Sequence, residues 1–276
     1  MMRTAFLFLL CLAGVMPAAD VLGPEEVPAT APADTTTTAK RRPADPALWP
    51  VTPTAGYGGW SKTTGSTWLG FHAKLEAAAV ARSSAEILIL GDAIPAELGY
   101  GLDVKPVPPA AWNSLLGTKQ VLNLAQPGET TEQLLWRLER GLAKQLAPQV
   151  VVVGVGANNL VEIERHGVPM TAVAKGIEAV VDTVRSRWPK ARVVVIEPLL
   201  MGRPTPIQRA NIAALHTAMA AWHITSGVTV VDPRNDLADE FGVIRTDRSG
   251  YGGLRLNDAG REALVVALAA TMKGLP

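Results

Sequence analysis

From about residue 86 onward, short apolar runs alternate with longer segments whose apolar residues recur every three to four positions. The runs Glu86 to Leu90, Gln120 to Leu124, Gln149 to Val155, Ala191 to Glu197 and Val228 to Asp232 predict five strands. Two of them, Val150-Val151-Val152-Val153 and Val193-Val194-Val195-Ile196, are continuously β-branched, as strands buried on both faces must be. Leu134, Leu135, Leu138, Leu142 and Leu146 keep helical spacing, as do Val173, Ile177, Val180, Val181, Val184 and Trp188, with Pro189 stopping the second helix. Further helices are predicted over Thr67 to Ala81, Ile207 to Ile224 and Asp258 to Met272. This alternation predicts an α/β fold in which five parallel strands lie between two helical layers. Ligands bind such sheets at the carboxyl ends of the strands, so the loops after each strand carry the candidate chemistry.

The first 60 residues follow other rules. Met1-Met2-Arg3 and the apolar stretch from Thr4 to Met16 are too short for a comfortable bilayer span and predict a signal peptide over 1–19, cut near Pro17-Ala18-Ala19. The expected destination is the periplasm or the extracellular space, with no transmembrane segment left after cleavage. Cys11 is the single cysteine, and Leu10 before it is a poor match to a lipoprotein signal. Cleavage therefore leaves a chain without disulfides, thiol chemistry or cysteine–metal sites. Residues 20–59 are rich in Pro, Ala and Thr, contain Lys40-Arg41-Arg42, and predict a solvated linker from which Trp49, Tyr57 and Trp60 can dock on a domain spanning 60–276.

The formal net charge of +1 on 276 residues creates no field that would draw the chain to nucleic acid. No internal repeat is visible and no Gly-rich phosphate loop follows the first strand, so no cofactor is expected.

Read in order, the strand-end loops are Gly91-Asp92-Ala93-Ile94, Asn123 to Thr131, Gly156-Ala157-Asn158-Asn159 and Gly252-Gly253-Leu254-Arg255-Leu256-Asn257. Together they resemble the four blocks of the SGNH (GDSL) hydrolases, nearest to the catalytic-subunit family of platelet-activating-factor acetylhydrolase. The flanking segments Leu135-Trp136-Arg137-Leu138, Gly176 to Val181 and Pro198 to Arg203 match as well, and the resemblance runs from about Trp60 to Met272. It implies a flavodoxin-like three-layer α/β/α fold, an ancestral activity on acetyl or short acyl esters, and association in pairs, so that a homodimer is an expectation.

In that family a Ser follows the Gly-Asp pair, and an Asp-x-x-His near the C-terminus supplies the base and its orienting carboxylate. Here those positions read Ala93, Gly252 and Arg255. Alanine offers no nucleophilic atom, glycine no carboxylate, and arginine stays protonated and cannot act as a base. Loss of a nucleophile or base from such a triad costs on the order of a million-fold in turnover. A Ser-to-Ala change alone would leave Gly252 and Arg255 unexplained, so the three together point to a natural pseudoenzyme.

By the same resemblance, the oxyanion-hole donors would be the main-chain N–H groups of Ala93 and Gly128 and the side chain of Asn158. Arg255 adds a permanent positive charge to that pocket. It either makes an anion site, for a carboxylate or an acidic sugar, or pairs with a nearby acid such as Asp247 or Asp258. A small-molecule or carbohydrate ligand is thus the expected partner, with a structural role as the alternative. The competing reading is a working ester hydrolase that has recruited His166, Asp247 or Asp258.

Other polar residues have quieter roles in the sequence. Asp92 at a strand end predicts a loop anchor, Glu129 before Thr130-Thr131 predicts helix-start chemistry, and Asn159 predicts a turn residue. His72 falls in a packing helix. His216 and His223 share a helical face but lack a third ligand in view, so no metal site is expected. Trp112, Trp136, Trp188 and Trp222 read as core or interface aromatics.

Overall fold

A computed structural model describes residues 68–99, 109–160, 170–220, 222 and 227–272. The expected signal peptide, the linker, Trp49, Tyr57, Trp60, His166 and His223 lie outside the described residues. Within the described residues, strands β1 (Ile87–Gly91), β2 (Val121–Asn123), β3 (Val150–Gly154), β4 (Arg192–Ile196) and β5 (Val228–Val231) pair in parallel in the order β2-β1-β3-β4-β5. This is the predicted five-stranded sheet, with Leu88 beside both Leu122 and Val151, and Val195 beside Val230.

The β-branched runs alternate sides, as the pleat requires. Leu88, Leu90, Val151 and Val153 enter one core with Leu75 of α1 (Trp68–Ala81), Leu134 and Leu138 of α4 (Thr131–Glu139), Val180 and Val184 of α5 (Met170–Arg187) and Leu215 of α6 (Pro206–Ala220). Ile87, Ile89, Val150 and Val152 enter the other with Trp112 of α3 (Ala110–Leu116) and Leu264 and Leu268 of α8 (Asp258–Met272). Helices on both faces complete the three-layer α/β/α architecture. Fully burying each of these side chains contributes about 1.5–3 kcal/mol, so the two cores, with no disulfide in the sheet, carry the fold.

Three details depart from the periodicity. The helix predicted from Leu134 through Leu146 stops at Glu139, because Gly141 adopts a φ of +93° that ends helical geometry, yet Leu142 and Leu146 remain buried in the turns that follow. Two short helices carried no periodic signal: α2 (Ala93–Ala96) and α7 (Arg234–Leu237). Nor did the small antiparallel pair β6 (Ser249–Gly250) and β7 (Arg255–Leu256), which frames the last block.

The crevice between β1 and β3 is where the strand order reverses, the usual ligand position in an open α/β sheet. Its floor is a close backbone approach. Gly91 has φ +122° and faces Gly154 across the pair, and a Cβ at Gly91 would sit 1.8 Å from the Gly154 carbonyl oxygen. Only glycine fits there.

Candidate active site

All four blocks converge on this crevice end of the sheet. Asp92 leaves β1 and caps α2, its Oδ1 accepting from the Ile94 N–H at 3.2 Å. Burial pushes its carboxyl up to about 7, with the nearby Glu129 adding to the rise and main-chain N–H groups of Ile94 and Ala157 opposing it. Ala93 follows as the first residue of α2. Its N–H has no hydrogen-bond partner among the described residues.

The second block folds back over β1. Gln126 N–H donates to the Gly91 carbonyl at 2.6 Å, and the Glu129 N–H to the Gln126 carbonyl at 3.1 Å. Between them Gly128, at φ +80°, leaves its N–H without a partner among the described residues. Asn158 of the third block reaches across: its Nδ2 donates to the Glu129 carbonyl at 2.9 Å and lies 3.5 Å from Asp92 Oδ2. The residues expected to provide oxyanion donors, Ala93, Gly128 and Asn158, thus belong to loops stitched to one another.

Two residues given minor roles by the sequence do this stitching. Glu129 is not a helix cap. That task falls to Thr130, whose hydroxyl accepts from Gln133 N–H while the Gln133 side chain accepts from Thr130 N–H. Glu129 is instead wholly buried against Arg137, whose Nη1 donates to both carboxylate oxygens at 2.9 and 3.0 Å, while Nη2 donates to the Leu124 carbonyl at 2.8 Å. Burial pushes the Glu129 carboxyl up to about 7 against the pull of Arg137. Asn159 is likewise more than a turn residue: buried, it accepts from the Thr131 N–H at 3.0 Å and donates to Thr131 Oγ1 and Glu132 Oε2. A buried Glu–Arg pair eight residues apart leaves no local signature, because its burial comes from β2 and the sheet around it.

The last block supplies no acid–base pair at the expected positions. Gly252 is exposed, with φ +67°, and nothing lies within 4 Å of a Cβ built on it. Arg255 pairs neither with Asp247 nor with Asp258. Its Nη1 lies 3.4 Å from Oε1 of Glu97, which the sequence did not single out. Asp247 is instead held by Arg245 and Arg248, and Asp258 by Arg261, at exposed positions. Glu97 is buried at the end of α2, its N–H 3.2 Å from the Ala93 carbonyl, and its other oxygen meets Arg261 at 3.7 Å. Burial raises its carboxyl while both guanidiniums pull it down. The physical cause is burial: Glu97 is a buried acid, whereas Asp247 and Asp258 lie in solvent, and a buried charge must find a countercharge.

The two histidines among the described residues are buried in packing positions. His72 is buried between Trp68 and Trp136, with burial holding its imidazole down at about 4, and His216 Nε2 lies 2.7 Å from the Pro198 carbonyl oxygen. Among the described residues no cluster of three potential metal ligands forms, and no helix is long and apolar enough to cross a membrane. Of the tryptophans, Trp112 and Trp188 are buried, and Trp136 is half-buried with Arg140 stacked 4.6 Å above its ring.

Comparison with known proteins bears on the fold and the family. Residues 89–263 match the model of the GDSL-like Lipase/Acylhydrolase family. The chain is 31% identical over 169 residues to platelet-activating factor acetylhydrolase IB subunit alpha1 of Pongo abelii and of Homo sapiens, covering 60% of this chain and 67% of each relative. It is 37% identical over 101 residues to the alpha2 subunit of Rattus norvegicus, covering 36% of this chain and 42% of that one. Among solved structures, a GDSL-like lipase from Bacteroides thetaiotaomicron superposes with a TM-score of 0.55 at 13% identity, covering 73% of this chain and 97% of that one. TesA superposes with a TM-score of 0.51 at 22% identity, covering 69% and 99%. At such identities the structures speak for the fold, while the matched sequence model spans most of the chain and every block of the site. The chain belongs to the GDSL-like lipase/acylhydrolase family and thus to the SGNH hydrolase superfamily.

Proposed function

We propose that this SGNH-fold domain is a non-hydrolytic binding protein, exported to the periplasm or the cell exterior, that holds the acyl oxygen of a small-molecule or carbohydrate ligand. The observation that carries the reading is the contrast at the crevice. Two main-chain N–H groups, of Ala93 and Gly128, lack partners among the described residues beside a tethered Asn158, whereas the positions that attack and carry protons read Ala93, Gly252 and Arg255. Donors aimed at an oxygen bind a carbonyl whether or not a nucleophile follows. The fold survives such losses because strands and helices carry it, and the lost activity resided in a few loop side chains.

The test is an assay of purified full-length protein with p-nitrophenyl acetate, beside an Asn158→Ala control. Turnover no greater than that of the control is expected. Turnover clearly above it overturns the reading in favour of an ester hydrolase with recruited residues.

A further inference from the structure

The first helix, α1, is apolar on both of its faces. Trp68, His72, Leu75, Ala78 and Ala79 turn inward and are buried. The outward arc, at helical spacing, is Leu69, Ala73, Ala77, Val80 and Ala81, all exposed and none polar, with Leu69 at 43% and Val80 at 69%. Charge stands only at the rims of this arc, where Lys74 is exposed and Glu76 turns to His72 at 3.5 Å. A helix at a protein surface ordinarily shows water a polar face, as α5 does with exposed Lys175, Glu178 and Asp182. A helix apolar all round is ordinarily covered all round.

We propose that the outward face of α1 is the docking surface for the chain's own residues 49–60. From Trp49 to Trp60 the chain carries no charged residue and holds Trp49, Val51, Tyr57 and Trp60, between Lys40-Arg41-Arg42 and Asp45 on one side and Lys62 on the other. An uncharged aromatic stretch thus stands immediately before an uncharged helix face, and the connection enters α1 at Trp68, one residue before Leu69. The lengths permit the return. The helix is about 21 Å long, residues 61–67 reach about 23 Å when extended, and residues 49–60 about 40 Å. Ala73 and Ala77 leave the middle of the face flat between Leu69 and Val80, where an aromatic ring can lie. So short a tether holds the segment at millimolar effective concentration, an advantage that a second copy or any separate partner lacks. The docking is independent of what the crevice does to its ligand.

Disulfide trapping in the full chain tests the assignment, with Cys11→Ser removing the single cysteine. Tyr57→Cys is paired with Ala73→Cys on the face and, separately, with Glu139→Cys. The latter is exposed at the end of α4, whose Trp136 ring lies 6.0 Å from that of Trp68, so the tether reaches both positions. Under mild oxidation in dilute protein the 57–73 pair is expected to close about ten-fold faster than the 57–139 pair. Leu69→Glu with Val80→Glu should abolish that preference and speed tryptic cleavage after Lys62, a second readout that needs no disulfide. Equal closure of the two pairs, or a preference that survives the double Glu substitution, overturns the proposal. A disulfide-linked dimer formed by Ala77→Cys alone overturns it in favour of a second copy on this face. Co-sedimentation with phosphatidylcholine–phosphatidylglycerol vesicles that Leu69→Glu abolishes overturns it in favour of a bilayer.

Discussion

Arg137 donates through one nitrogen to both carboxylate oxygens of Glu129, at 2.9 and 3.0 Å, and neither side chain is exposed at all. The Glu129 main-chain carbonyl in turn fixes Asn158 at 2.9 Å. The ion pair therefore ties the end of β2, at the Leu124 carbonyl, to the loop that carries Gly128 and, through the Glu129 carbonyl, to Asn158 of the third block.

Removing Arg137 leaves the Glu129 carboxyl buried without its countercharge and its donor, so that it must take up a proton or stay unpaired. Arg137→Met is expected to cost about 3–5 kcal/mol, read as a lowered midpoint in urea unfolding. Arg137→Met with Glu129→Met removes both charges and should recover much of that loss. A single variant as stable as the parent contradicts the burial of this pair.

Asn159 accepts the Thr131 N–H in a buried position at the start of α4. Asn159→Ala strands that donor and should cost about 1–3 kcal/mol. Hydrogen exchange at the Thr131 amide should speed up beyond the change at distant strand amides. An unchanged Thr131 rate argues that the cross-link is not maintained in solution.

Three buried carboxyls set the expected response to pH. Burial raises Asp92, Glu129 and Glu197 to about 7; for Glu197 the neighbouring Asp232 adds to the rise and Arg234 opposes it. In the unfolded chain such groups titrate near 4. Between about 4 and 7 the native state therefore holds protons that the unfolded state has released, so their contribution is complete below the lower value and is lost as pH rises through the upper one. The thermal midpoint should be higher at pH 5 than at pH 8. Asp92→Asn and Glu197→Gln should each flatten that difference, and a midpoint that climbs from pH 5 to pH 8 contradicts the assignment.

The proposed loss of catalytic chemistry can be tested at the positions expected to have carried it. Gly252 has open space around a built Cβ and a φ of +67°, which an aspartate tolerates better than most residues. Ala93→Ser, Gly252→Asp and Arg255→His together should yield measurable p-nitrophenyl acetate hydrolysis, absent from each single variant. A folded triple variant without activity removes these three positions from the ancestral triad. Release of Glu97 from Arg255 is compensated by Arg261.

The strands, their parallel pairing and the two-sided burial of Val150–Val153 were legible because a side chain's alternation or helical repeat is a local property that the core only has to accept. The four blocks were legible for a related reason: each ends a strand, and the strand ends are brought together by the sheet. The helix end at Glu139 and the β6–β7 pair were not, since they depend on one glycine's φ and on contacts with distant segments.

The amino-acid sequence by itself determined the fold class and the family, and it reads Ala93, Gly252 and Arg255 where the resemblance leads one to expect hydroxyl, carboxylate and imidazole. Only the tertiary structure decided which acid meets Arg255, what Glu129 and Asn159 do, and which N–H groups lack a partner among the described residues. The reason is that ion pairing and hydrogen bonding over 158 residues of separation are chosen by burial: Glu97 took Arg255 and Arg261 because water could not reach it, whereas Asp247 and Asp258 remained in solvent.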